Sequence, residues 1–137
     1  MKGDTIQYES GYKYQLHRSY AVMIGITGYS VSDELYTLTP DGSLTILAGY
    51  AWDGPSGPTI DTDNFMRGSL VHDVLYQMMR RGQLPEALCF HAANDELRKI
   101  CLEDGMSRLR AWYVWKAVED FGSANAAVQP DKVFTAP

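Results

Sequence analysis

His72, Asp73 and Tyr76 stand within five residues of one another, and Asp95 follows 23 positions after His72. An imidazole beside a carboxylate is the pairing that general-base chemistry uses: the ring takes a proton from water while the acid fixes its tautomer and stabilises the imidazolium. Asp73 adds a hard oxygen donor of the kind calcium selects. That ion gathers about six to eight oxygens, and backbone carbonyls from a rigid Gly/Pro segment such as 53–57 are suitable co-ligands. The competing reading of the same residues is structural. His72 and Asp95 would then be a buried, mutually satisfied polar pair tying two helices together, with Asp73 merely exposed.

The spacing demands a helical hairpin. His72 lies ten residues before Gly82 and Asp95 lies ten residues after Pro85, so a tight antiparallel turn puts each about 15 Å from the turn on adjacent helices. At an interaxial distance of about 8–10 Å, an inward imidazole and carboxylate reach hydrogen-bonding range. Tyr76, one turn beyond His72, shares its face and can donate to the same carboxylate. Asp73 is rotated by about 100° and aims toward a flank that could hold a cation.

Periodicity supports these helices. Asp61 or Asp63 can cap a helix over 64–81, whose apolar faces come from Phe65, Leu70, Val71, Val74, Leu75, Met78 and Met79, and Gly82 ends it. Pro85 suits the first position of a second helix that runs to about 103 and stops before Gly105. Ser107 can cap a third, ending at Gly122. Upstream, 12–14, 20–26, 35–38 and 43–47 read as strands rich in Tyr, Thr, Ile and Val, with Thr39-Pro40-Asp41-Gly42 as a turn. The expected fold is therefore α+β. A small N-terminal antiparallel sheet (1–50) is joined by a Gly/Pro loop (51–63) to a three-helix part (64–122), all in one domain over 1–122. The segment 123–137 reads as a weakly ordered tail.

With 137 residues, 45% hydrophobic and 21% charged, the chain has the makings of one globular domain with a real core. Its formal net charge of −5 argues against a nucleic-acid groove. No apolar run approaches the roughly 20 residues of a membrane span, and the N-terminus lacks a signal-peptide apolar region. Cys89 and Cys101, twelve apart in one helix, are separated by about 18 Å and cannot bridge.

The string Val71-His72-Asp73-Val74-Leu75-Tyr76, followed by Ala93-Asn94-Asp95-Glu96-Leu97, resembles the phospholipase A2 signature: His-Asp-x-x-Tyr on one helix and Asp on the antiparallel next. Gly54-Pro55-Ser56-Gly57 is similar to the calcium loop in its parvoviral Gly-Pro form. The resemblance implies His72 as base, Asp95 as its partner and Tyr76 as a hydrogen-bonding support. It also implies calcium held by the Asp73 side chain and by carbonyls near Asp53, Gly54 and Ser56, with the Gly54 N–H in an oxyanion hole. Length and layout resemble more closely the phage-associated family called domain of unknown function 1353. That likeness covers 48–122, from the Ala-Gly-Tyr turn through His-Asp-x-Leu-Tyr to the Ala111-Trp112-Tyr113-Val114-Trp115 segment. It implies a bacteriophage protein made in the host cytoplasm and a place in the virion as one destination. Two functions follow as expectations: hydrolysis of a phospholipid or other ester, or a noncatalytic virion or tail role with contacts to other virion proteins.

Other chemistry is less well supported by the residues. His-Asp adjacency also resembles metal-dependent phosphohydrolases, but only His17 and His91 remain to complete a metal shell. Neither Ser69 nor Cys89 lies in a nucleophile motif. Trp112 and Trp115, three apart on a capped helix, read as core in preference to a membrane-contacting ridge.

Overall fold

The computed structural model describes residues 8–9, 14–52 and 63–127, and its elements follow in chain order. The strands are β1 (Tyr8–Glu9), β2 (Tyr14–Leu16), β3 (Tyr20–Met23), β4 (Val31–Ser32), β5 (Tyr36–Leu38), β6 (Ser43–Ile46) and β7 (Ala51–Trp52). The helices are α1 (Asp63–Arg80), α2 (Glu86–Glu103), α3 (Arg108–Phe121) and the single turn α4 (Ser123–Ala126). This is the expected α+β layout, with one refinement: the strands form two small antiparallel sheets, ordered β1-β2-β7 and β3-β6-β5-β4. The division follows from β7, which pairs with β2 through Tyr14–Trp52 and Gln15–Ala51, in what the sequence reading gave to the loop.

Alternation sets the inner face of the larger sheet. Tyr36, Leu38, Leu44 and Ile46 are buried while their neighbours Thr37, Ser43 and Thr45 are less so, as a period of two requires. The tight turn before β6 is closed by Gly42 N donating to the Thr39 carbonyl. Gly42 has φ +91°, and a Cβ there would meet the Ile24 carbonyl, so both conformation and space call for glycine.

Beneath the sheets, α1 is buried around most of its circumference. Leu70, Val71, Val74, Leu75, Met78 and Met79 join the sheet residues in one core. A second cluster of Phe65, Leu97, Cys101, Met106, Ala111 and Val114 glues α1, α2 and α3 together. At Gly68 an added Cβ would come within 2.9 Å of Cys101 Sγ and 3.1 Å of Leu97 Cδ1, so α1 and α2 touch closely there. The hairpin itself ends α1 in a Schellman arrangement, with Gly82 N–H on the Met79 carbonyl and Gln83 N–H on that of Met78. Pro85 is the N-cap of α2, so this helix begins one residue later than expected, and Ser107 caps α3 by accepting from the Arg110 N–H. Among the described residues no helix is long and apolar enough to cross a membrane.

Candidate functional site

The hairpin brings His72 level with α2, as the residue count requires, but the residue it meets is Asn94. His72 Nε2 lies 2.8 Å from Asn94 Oδ1, and the Tyr76 hydroxyl donates to that same oxygen at 2.7 Å. An amide oxygen only accepts, so His72 carries its proton on Nε2 and keeps the Nδ1 lone pair. Asn94 is fully buried. Its Nδ2 donates to Glu119 Oε2 of α3 at 2.8 Å, and the two Glu119 oxygens also face His91 Nδ1 at 2.7 and 2.9 Å.

Asp95 therefore does not take the place expected for it. It is exposed on the next flank of α2 and accepts from Trp115 Nε1 at 2.9 Å. The reason is helical phase. The buried stripe of α2 runs through Phe90, Ala93, Asn94, Leu97, Ile100 and Cys101, and Asp95 lies about 100° off it. That stripe is visible in the sequence as apolar residues at spacings of three and four, and it passes through Asn94, so the signal for the true partner was present. Glu119 had no such signal, because its role depends on where α3 packs.

Asp73 does diverge from His72 as expected. The buried Tyr50 hydroxyl, at the end of the sheet region, lies 2.7 Å from Asp73 Oδ2 and 2.8 Å from Gln77 Oε1. Burial and the neighbouring Asp73 charge hold the Tyr50 phenol far above its ordinary value, so it is a neutral donor. The remaining calcium donors expected from sequence, Asp53, Gly54 and Ser56, lie outside the described residues, as does the expected oxyanion-hole N–H of Gly54. Among the described residues, no three His, Cys, Asp or Glu side chains group as a metal shell. Asp73 alone among the expected ligands can be placed.

Electrostatics mark His72 as the unusual group. Burial pushes its imidazole down to about 4, and the Asn94 hydrogen bond, which favours the protonated ring, only partly opposes this. At neutral pH the ring is uncharged. Tyr76 is raised by burial, against the hydrogen bond to Asn94; its ring stacks on Phe90 at 5.8 Å and lies 4.0 Å from the His72 ring. For Glu119, burial pushes upward, but the bonds from Asn94 and His91 outweigh it and leave the carboxyl below its usual range.

No family model, curated protein or solved structure matches the chain.

The other candidates are placed as follows. Ser69 is consumed structurally, accepting from Trp52 Nε1 and donating to the Met66 carbonyl. Cys89 and Cys101 are free and buried, and burial raises both thiols, which keeps them protonated and unreactive. His91 sits on the Glu119 carboxylate, while His17 is on an exposed stretch between β2 and β3. Trp112, read as core, is 44% exposed beside Tyr113 and Leu109, because α3 buries the stripe through Ala111 and Val114. Trp115 is partly buried under the Arg98 guanidinium.

Proposed function

We propose that this chain is a bacteriophage protein of the domain of unknown function 1353 type with a phospholipase A2-like site, in which His72 is the general base that activates water to hydrolyse a lipid ester. The observation that supports it is the shared oxygen of Asn94. It accepts from both His72 Nε2 and Tyr76, so the ring is locked with Nδ1 as its basic atom. An amide can serve as such an orienting partner, as it does in Cys-His-Asn proteases. Water bound at Nδ1 would give up its proton to the ring as its oxygen adds to the ester carbonyl; the proton then passes from His72 to the departing alcohol. In this reading Asp73, with the carbonyls of Asp53, Gly54 and Ser56, would hold calcium. When bound, the ion would supply polarisation of the ester carbonyl and stabilisation of the oxyanion.

A second reading is favoured by a different observation. His72, Asn94 and Glu119 come from three helices, and the partner of His72 is neutral, which stabilises an imidazolium less than a carboxylate does. A network of that kind suits a noncatalytic virion or tail protein whose helix pair is a scaffold.

The test is fatty-acid release from mixed phospholipid micelles, with calcium and with chelator, by wild type and His72→Gln. Calcium-dependent release that falls at least about a hundredfold in the variant is the result expected of a general base. No release by folded wild-type protein would transfer the assignment to the scaffold reading.

A further inference from the structure

A buried asparagine can present either its oxygen or its NH2 to a histidine, and the two orientations demand opposite tautomers. With oxygen toward the ring, Nε2 must donate and Nδ1 is the basic atom. With NH2 toward the ring, Nε2 must accept and Nδ1 carries the proton, which abolishes a base at Nδ1. Nothing in the His72–Asn94 pair itself chooses, since His72 and the Tyr76 hydroxyl can each donate or accept. The choice is made on the far side of Asn94.

There the amide meets Glu119, whose Oε2 is 2.8 Å from Asn94 Nδ2. The carboxyl is held below its ordinary range, and an ionised carboxylate accepts only. An Asn94 oxygen turned toward it would set two acceptors against each other in a buried place and leave both without a donor. His91 presents Nδ1 to both Glu119 oxygens from the exposed side and hydrogen-bonds to neither Asn94 nor His72. We infer that Glu119 is a positioning residue of the His72 site: it fixes the Asn94 amide and, through it, the Nε2–H tautomer of His72. The site thus extends from α1 through α2 to α3, although Glu119 lies 47 residues from His72 in sequence. The tautomer assignment stands apart from any reaction, while its catalytic consequence rests on the hydrolase reading above.

The experiment is two-bond nitrogen–proton NMR of the imidazole rings at a fixed neutral pH, on wild type, Glu119→Gln and His91→Ala. Wild type is expected to show His72 purely as the Nε2–H form. Glu119→Gln keeps shape but can offer either an acceptor or a donor, so a second His72 form with the proton on Nδ1 is expected to appear. His91→Ala leaves the carboxylate in place and is expected to keep the wild-type pattern. A His72 that stays purely Nε2–H in folded Glu119→Gln overturns the inference. So does an Nδ1–H form in wild type, or an equal change in His91→Ala, which would point to loosened packing instead of amide orientation. Fatty-acid release on the same samples separates the two claims. A tautomer change in Glu119→Gln, with kcat lowered and KM kept, supports both; the same tautomer change with no release from wild type supports the positioning role and removes the hydrolase reading.

Discussion

At the residue scale, the depressed His72 imidazole has a consequence for stability against pH. Its folded value is about 4, against about 6.5 in an unfolded chain. Above pH 6.5 neither state binds the proton; between 6.5 and 4 the unfolded state binds it and the folded state does not. Stability therefore falls as pH drops through that window, by about 2 kcal/mol between pH 7.5 and pH 5. Asp33 and Glu119, whose carboxyls sit below their ordinary values, add their own acid-side loss mainly below that range. Urea unfolding at the two pH values should show this slope in wild type and a flatter one in His72→Gln, which has no ring to protonate. Equal slopes in the two proteins would mean that His72 is not the group held neutral by the fold.

At the scale of elements, the site depends on how closely the chain after α3 returns to α1. Gly122 ends α3 in an ordinary right-handed conformation, so its backbone would accept any residue. Space does not: a Cβ at that position would collide with the Tyr76 hydroxyl. Gly122→Ala is expected to cost about 1–3 kcal/mol, the usual range for overpacking, and to displace Tyr76 from Asn94. Denaturation midpoints measure the first. The second shows as a loss of protection of the Tyr76 hydroxyl proton in NMR, and an unchanged hydroxyl resonance would contradict the steric account. The segment from 123 on, read from sequence as a weakly ordered tail, begins with α4, whose Ala126 is buried in the core. Small residues at Gly122 and Ala126 let that short turn seat against the helix pair.

For the whole molecule, Arg67, near the start of α1, joins the larger sheet to the end of α2. It is 4% exposed. Its Nη1 donates to the Tyr20 hydroxyl at 2.7 Å, its Nε and Nη2 grip Asp104 at 3.0 Å, and Nη2 also reaches Glu103 at 2.8 Å. Burial alone would weaken the charge, but these partners hold the guanidinium firmly protonated. Arg67→Met removes from the buried Asp104 the guanidinium that grips both its oxygens and should cost about 3–5 kcal/mol. Arg67→Lys should recover only part, since one ammonium cannot meet three oxygen partners in a planar fork. Chemical denaturation of the full chain checks both, and a methionine variant as stable as wild type would show that apolar packing serves this position equally well. A second tie, from Glu96 Oε2 to the Gly25 N–H at 3.0 Å, joins α2 to the loop after β3.

The sequence by itself determined the three long helices and their level, and the strands that became β3, β5 and β6; the short β1, β4, β7 and α4 were not legible in it. Apolar spacing, Gly82, Pro85, Gly105 and Ser107 are local signals, and local signals act through backbone geometry that does not depend on the rest of the fold. Counting residues from the turn sufficed to bring His72 opposite the middle of α2, because each helical residue advances by a fixed rise of about 1.5 Å. Phase was a different matter. Whether Asn94 or Asp95 faces His72 depends on which stripe of α2 is buried, and neighbouring helical residues differ by about 100°, so an error of one position exchanges a core residue for an exposed one. That rotation was settled by α1 on one side and α3 on the other, through Leu97, Cys101, Val114 and Gly68. The bond from Tyr50 to Asp73 and the place of Glu119 behind Asn94 likewise came only from tertiary packing: these partners are distant in sequence, and no local pattern encodes which surfaces will meet.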